Sequence, residues 1–293
     1  MSEPPANRPR ASASGTLAKT PLVHLLIYAL EKKLDGTIEV VTPDRRAVRV
    51  LFIGGEPAKV RAHEPRLYLG RVLVDLGEIA EDELSGTLAA QAQAAIGARA
   101  LVGEMLVGAG ILNKAGLEDA LLQQLARTLG YVASLPPETN YAFYDGFDGL
   151  RGWGAEVARG VDPFPLLWET LRRAAPQAQV EAALARVAGA PVRLSRTADP
   201  GRLGLGAMEQ SALGATRSHP ATITEIARAS GLTDGDARLL VYLLLVTRQV
   251  EVIRNSQVPD AAAAVRAVQA PRAVSARDER APAAASRSSA PPP

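Results

Sequence analysis

The sequence predicts an α+β protein that is mostly α, and three observations carry that prediction. A helical apolar period early in the chain gives way to period-two alternation between residues 37 and 60. Residues 68–124 then state one two-helix pattern twice at a spacing of 33. Beyond residue 160, apolar residues return to helical spacing with turn residues between the runs. The expected architecture is a small helix-plus-antiparallel-sheet N-terminal domain, tandem two-helix repeats, a C-terminal winged-helix-like unit and disordered termini.

Residues 1–14 (MSEPPANRPRASAS) read as a disordered lead-in without the apolar run of a signal peptide. Residues 15–64 read as an α/β domain. Thr20 is its expected helix N-cap and Pro21 its first helical position, followed by Val23, Leu26, Ile27 and Leu30. Lys32, Lys33 and Gly36 supply the C-terminal charge and stop. Thr37, Glu39 and Val41 then alternate with Ile38 and Val40, and Pro43-Asp44 makes a turn. Val48, Val50 and Phe52 alternate next, and Gly54-Gly55 turns the chain into Pro57–Val60, which completes a meander.

Residues 65–130 hold the duplication. Gly70, Leu73, Val74, Gly77, Leu84, Leu88 and Gln91 fall 33 positions before Gly103, Leu106, Val107, Gly110, Leu117, Leu121 and Gln124. Each copy reads as a short apolar helix stopped by glycine, then a longer helix with leucine at i and i+4. Asn113 suits the N-cap of the second long helix, and Glu81-Asp82-Glu83 complements the dipole of the first. A unit this short cannot bury its own apolar face, so the copies are expected to pack together, with Gln91 and Gln124 capping or bridging them.

Residues 131–217 read as a mixed region. It should contain a short hairpin and loop around Tyr141–Trp153, helices near 165–173 and 177–188, a turn at Gly201–Gly206 and a weak helical stretch near 208–213. Residues 218–256 read as winged-helix-like: Ile223 and Ile226 on one helix, Gly231 in the turn, a very apolar helix to Val246, and a strand from Gln249 to Ile253. Residues 257–293 form a tail of Ala, Pro and Arg whose composition cannot build a core.

Composition narrows the function. The 293 residues suit about two domains, and 47% apolar content is ample for a core. A net charge of +2 gives the body no strong footprint for nucleic acid or anionic membrane. Absence of cysteine excludes disulfides, thiolate metal sites and cysteine nucleophiles, and fits a reducing cytoplasm. The longest apolar run, Leu239–Val246, is far below the roughly 20 residues of a membrane span. His24, His63 and His219 have no ligand-spaced companions, so no metal site is expected. Asp145 and Asp148 lack a nearby histidine, and Gly201–Gly206 lacks the Lys-Ser/Thr of a phosphate loop, so no catalytic residue is assigned.

Two resemblances sharpen this. The stretch from GTLAKTPLVHLLIYALEKKLDGTIEVV to VRVLFIGGEPAKVRA resembles the PATAN domain of bacterial signalling and scaffold proteins, in its Gly-Thr-Leu start, Pro-Leu helix entry and Phe-x-x-Gly-Glu-Pro hairpin. YLGRVLVDLGEIAEDELSGTLAAQ and LVGEMLVGAGILNKAGLEDALLQQ resemble the MshEN domain of type II secretion and type IV pilus ATPases. Some members of that family bind cyclic diguanylate, with arginine and backbone at the short helices holding the phosphates and apolar side chains lining the rest. Carried onto this chain, that resemblance implies ligand residues among Arg66, Gly70, Arg71, Leu73, Gln91, Arg99, Gly103, Leu106 and Gln124. The arginine expected before Leu-Gly is replaced by Tyr68 and Leu101, and neither can make a bidentate phosphate contact.

The expected role is therefore a non-enzymatic bacterial cytoplasmic signalling or scaffold protein, acting by protein–protein contact and without a cofactor. The resemblances link it to polarity, motility or secretion. A cyclic diguanylate receptor is the alternative. A DNA-binding regulator is the second, disfavoured by Asp234 and Asp236 at the start of the would-be recognition helix.

Overall fold

The computed structural model describes residues 9–93, 100–187 and 189–253. Within them the chain is α+β, with ten α-helices and a five-stranded antiparallel sheet. Residues 1–8, Arg99 and the tail 257–293 lie outside the described residues.

The sheet is built from β1 (Ala13–Thr16), β2 (Gly36–Val41), β3 (Ala47–Ile53), β4 (Glu56–Arg61) and β5 (Asn140–Asp145), in the order β1-β5-β2-β3-β4. The β2–β3–β4 meander follows from local alternation. Gly54 and Gly55 take φ values of 59° and 86°, the left-handed pair that a tight hairpin requires. Gly55 also needs to lack a side chain: a Cβ there would stand 2.3 Å from the Ala29 carbonyl oxygen.

Three sequence expectations fail here. No hairpin forms around Tyr141; instead the single strand β5 inserts between β1 and β2, pairing Phe143 with Ile38 and Ala13. β1 begins at Ala13, inside the stretch expected to be a lead-in. Thr20 does not cap the first helix, α1 (Leu22–Lys32): Pro21 occupies the cap position and no side chain bonds there. Lys33 itself ends α1 in the left-handed region at φ 50°.

One sheet face carries Ile38, Val40, Val48, Val50, Phe52 and Phe143, all in the main core with α1. On the other face Thr37 donates to the Phe147 carbonyl at 2.8 Å, which ties down the segment after β5, and Leu150 is buried. Glu39 sits opposite Arg49 in the register and pairs with it at 2.6 Å.

A 3-10 turn (Pro65–Leu67) leads into α2 (Leu69–Leu76) and α3 (Glu81–Gln93); α4 (Val102–Gly108) and α5 (Lys114–Ala133) come next. These helices close a small separate core of Val72, Leu73, Ile79, Leu84, Leu106, Leu112 and Ala120. The C-terminal half of α5 leaves it and sends Leu125, Leu129 and Val132 into the main core.

The remaining elements are α6 (Phe164–Arg173), α7 (Gln177–Ala185), β6 (Val192–Leu194), α8 (Ala207–Ser218), α9 (Ile223–Ser230), α10 (Asp234–Val246) and β7 (Val250–Val252). The stretch expected to be weakly helical near 208–213 is the three-turn helix α8. The expected turn at Gly201–Gly206 overlaps a second 3-10 segment, Pro200–Leu203. Thr222 and Thr233 cap α9 and α10, and Gly231 between them has φ 74°. β7 pairs with β6, which lies upstream of α8, so the strand has no hairpin partner of its own. Tyr242 on α10 is fully buried and bonds His24 on α1 at 2.8 Å, stitching the C-terminal helices to the N-terminal layer. Burial pushes the His24 pKa down and that of Tyr242 up to about 12.

Candidate functional site

The residues singled out in the duplication separate into interior and surface sets. Leu73 and Leu106 are completely buried in the small core. Gly70 and Gly103 lie beneath leucines: a Cβ would meet Leu84 Cδ1 at 2.5 Å and Leu117 Cδ1 at 2.7 Å. Both glycines therefore serve close helix packing, and their backbones are covered by side chains of the long helices.

Backbone geometry matches at the same offset. Gly77 and Gly110 have φ 74° and 71°. Glu78 N–H donates to Leu73 O and Gly77 N–H to Val74 O; Ile111 donates to Leu106 O and Gly110 to Val107 O. These are two Schellman closures, 33 residues apart. Asn113 caps α5 by accepting from Gly116 N–H at 2.8 Å, whereas on the α3 side Glu83 reaches back to Ala80 N–H at 2.7 Å.

The two glutamines exchange bonds between the copies. Gln91 Nε2 donates to Ala100 O, and Gln124 Nε2 donates to Leu67 O, each at 2.8 Å. Ala100 and Leu67 are themselves 33 apart and precede the starts of α4 and α2. Each long helix thus holds the entry to the other copy's short helix.

Leu88 and Leu121, the i+4 leucines of the long helices, are 46% and 45% exposed. The leucine one turn earlier in each helix lies over the glycine floor, and the stripe outruns its cover. Tyr68, standing where the resemblance places arginine, is 47% exposed.

Arg66 and Arg71 come together with residues that the sequence did not single out. With Arg127 and Arg173 they line an open groove of about 630 Å³, floored by Leu67, Gly130 and Tyr131. Asp75 accepts from Arg127 at 2.8 Å and from Arg71 at 2.9 Å, and these two guanidiniums hold its carboxyl below the usual range, that of Arg127 foremost. Arg71 also reaches Glu81 at 3.2 Å, and Arg173 pairs with Glu169 at 2.6 Å. Arg173 Cδ would lie 3.6 Å from a Cβ at Gly130, so its stem runs along the side-chain-free surface of α5 there. The Tyr131 pKa is pushed up by burial and then by the Asp44 and Glu64 carboxylates. Linear spacing offered no signal for Arg173, which belongs to a different helix. Arg127 lies three residues after Gln124 on the same helical face, the one available cue.

No family model, curated protein or solved structure matches the chain. Among the described residues no group of three His, Asp or Glu side chains is placed to hold a metal ion. No described helix is long and apolar enough to cross a membrane. Asp148 accepts from Leu150 N–H at 2.7 Å and so closes a turn, and Arg202 makes two bonds to Asp162.

Proposed function

We propose that this chain is a non-enzymatic scaffold or signalling protein that works through protein–protein contact. Leu88 and Leu121 carry the reading, because two half-exposed leucines repeated at matched positions form surface that folding alone does not use. The PATAN-like and MshEN-like resemblances agree with it, as does the helix packed on an antiparallel meander.

The alternatives draw less support. A cyclic dinucleotide on the glycine faces would have to displace Leu84 and Leu117, and Tyr68 and Leu101 offer no guanidinium. A winged-helix reading of residues 218–256 meets, in α10, a would-be recognition helix with six buried residues. Arg238 on α10 and Arg248 just after it are paired with Glu181 and Glu31, so that helix offers phosphate no unpaired arginine.

The test compares partners co-purifying with the full chain and with Leu88→Asp/Leu121→Asp, after circular dichroism has shown both to be folded. Loss of a reproducible partner in the variant is the expected result. An unchanged set sinks the reading. Calorimetric titration with cyclic diguanylate and a low-salt gel shift check the alternatives.

A further inference from the structure

We propose that the arginine groove binds an acidic, extended segment of a protein partner. Four guanidiniums, from the 3-10 turn, α2, α5 and α6, converge on a lining whose one carboxylate is Asp75. Asp75, Glu81 and Glu169 pair with three of the four, so the groove's attraction for an anion rests on Arg66 and on the outer pairs that an incoming carboxylate can replace.

The groove is partly organised in advance. Asp75 clamps Arg71 and Arg127 side by side, so both forks hold fixed directions, and an arginine fixed in this way loses less freedom on accepting a carboxylate. Arg66 makes no hydrogen bond or ion pair among the described residues. The Arg173–Glu169 pair is half-exposed, and exposed pairs of this kind contribute little and exchange readily. Arg66 and Arg173 are therefore the donors available to an incoming anion.

The shape and Asp75 select the ligand class. The groove is open, with an apolar floor, and suits a chain lying along it better than a small molecule that must be enclosed. A dianionic phosphate among the four arginines would lie against the ionised Asp75. Single carboxylates, spaced about 7 Å apart on alternate residues of an extended chain, bring half the charge of a dianion to any one point and so meet less repulsion from Asp75.

The partner's being a protein rests on the proposed scaffold role, but the groove is tested apart from the leucine surface. Fluorescence anisotropy of the full chain would use a labelled peptide of about ten residues alternating Glu and Ser, with a Gln-Ser peptide as its neutral match. The Glu peptide should bind saturably at low salt and the Gln peptide should not. Arg66→Glu/Arg173→Glu should weaken binding at least about tenfold, with Arg66→Gln/Arg173→Gln as the milder pair if the first is unfolded. The same charge change on exposed arginines elsewhere, Arg217→Glu/Arg228→Glu, should leave the affinity within about twofold. Equal binding of both peptides, no loss in the groove variants, equal loss in the remote variant, or displacement by inorganic phosphate at lower concentration than by unlabelled peptide would each overturn the proposal.

Discussion

The first helix pair, α2 and α3, and the second, α4 and α5, share a glycine floor, a Schellman closure and a bridging glutamine, yet they are held very differently. α3 buries one side chain, Leu84. α5 runs for 20 residues and buries seven of them, four within its last two turns. The pattern common to both ends at the glutamine, and the residues beyond it decide the outcome. After Gln124 the chain continues with Leu125, Leu129 and Val132 at helical spacing; the positions 33 residues earlier are Ala92, Ile96 and Arg99, of which only Ala92 lies among the described residues. Among the described residues, one duplicated motif thus yields a short first pair and a long second one, which Leu125, Leu129 and Val132 tie to the main core.

The largest expected effect tests that anchoring. Leu129→Ala, in the main core with no exposure, should lower the unfolding free energy by about 3 kcal/mol in urea titrations. Leu88→Ala and Leu121→Ala should each cost less than about 1 kcal/mol. A comparable loss at Leu88 would mean that the first pair is as deeply anchored as the second.

The matched glycines come next. Gly70→Ala and Gly103→Ala should each destabilise by about 1–2 kcal/mol, since Leu84 or Leu117 must move aside, and the two values should agree closely. Gly86→Ala, on the exposed side of α3 with nothing near its Cβ, should stabilise by about 0.5–1 kcal/mol. Unequal losses at Gly70 and Gly103 would break the equivalence of the pairs.

Acid should separate the two cores. Burial lowers the His24 pKa from its ordinary 6.5, so the unfolded chain binds the extra proton first. The stabilisation is fully present above pH 6.5 and is lost as pH falls from there through the depressed folded value. The slope from this group cannot exceed about 1.4 kcal/mol per pH unit. His24→Gln should flatten it, as read from the fluorescence of the buried Trp168 in the main core that α5 joins. A slope unchanged by that substitution would assign the acid sensitivity elsewhere.

The smallest effect concerns the exchanged bonds. Gln124→Ala breaks a part-buried bond and should cost about 1 kcal/mol, and Gln91→Ala, at an exposed one, less than about 0.5 kcal/mol by thermal or urea unfolding. A reversed order would show that the first pair, not the second, sets the seam.

The features legible in the sequence were local. The meander, the glycine stops and the cap at Asn113 depend on neighbours within a few residues, and each could be read from spacing. β5 could not: its partner β2 lies about a hundred residues upstream, and a lone aromatic strand looks the same as half a hairpin. The arginine groove was half legible. Arg66 and Arg71 drew notice through the duplication, while Arg173 reaches them only because α5 carries α6 alongside. The exposure of Leu88 and Leu121 escaped a period-3.6 reading because periodicity marks a stripe without saying how much of it a short partner helix covers.

The exchanged glutamine bonds limit how far this motif can multiply. In a stacked array every copy leaves an acceptor for the next, and growth has no natural end. Here the Ala100 and Leu67 carbonyls are each engaged by the opposite copy, so the seam closes on itself between the two units. The exchange is reciprocal between two copies, and an added unit would have to compete for acceptors already in use.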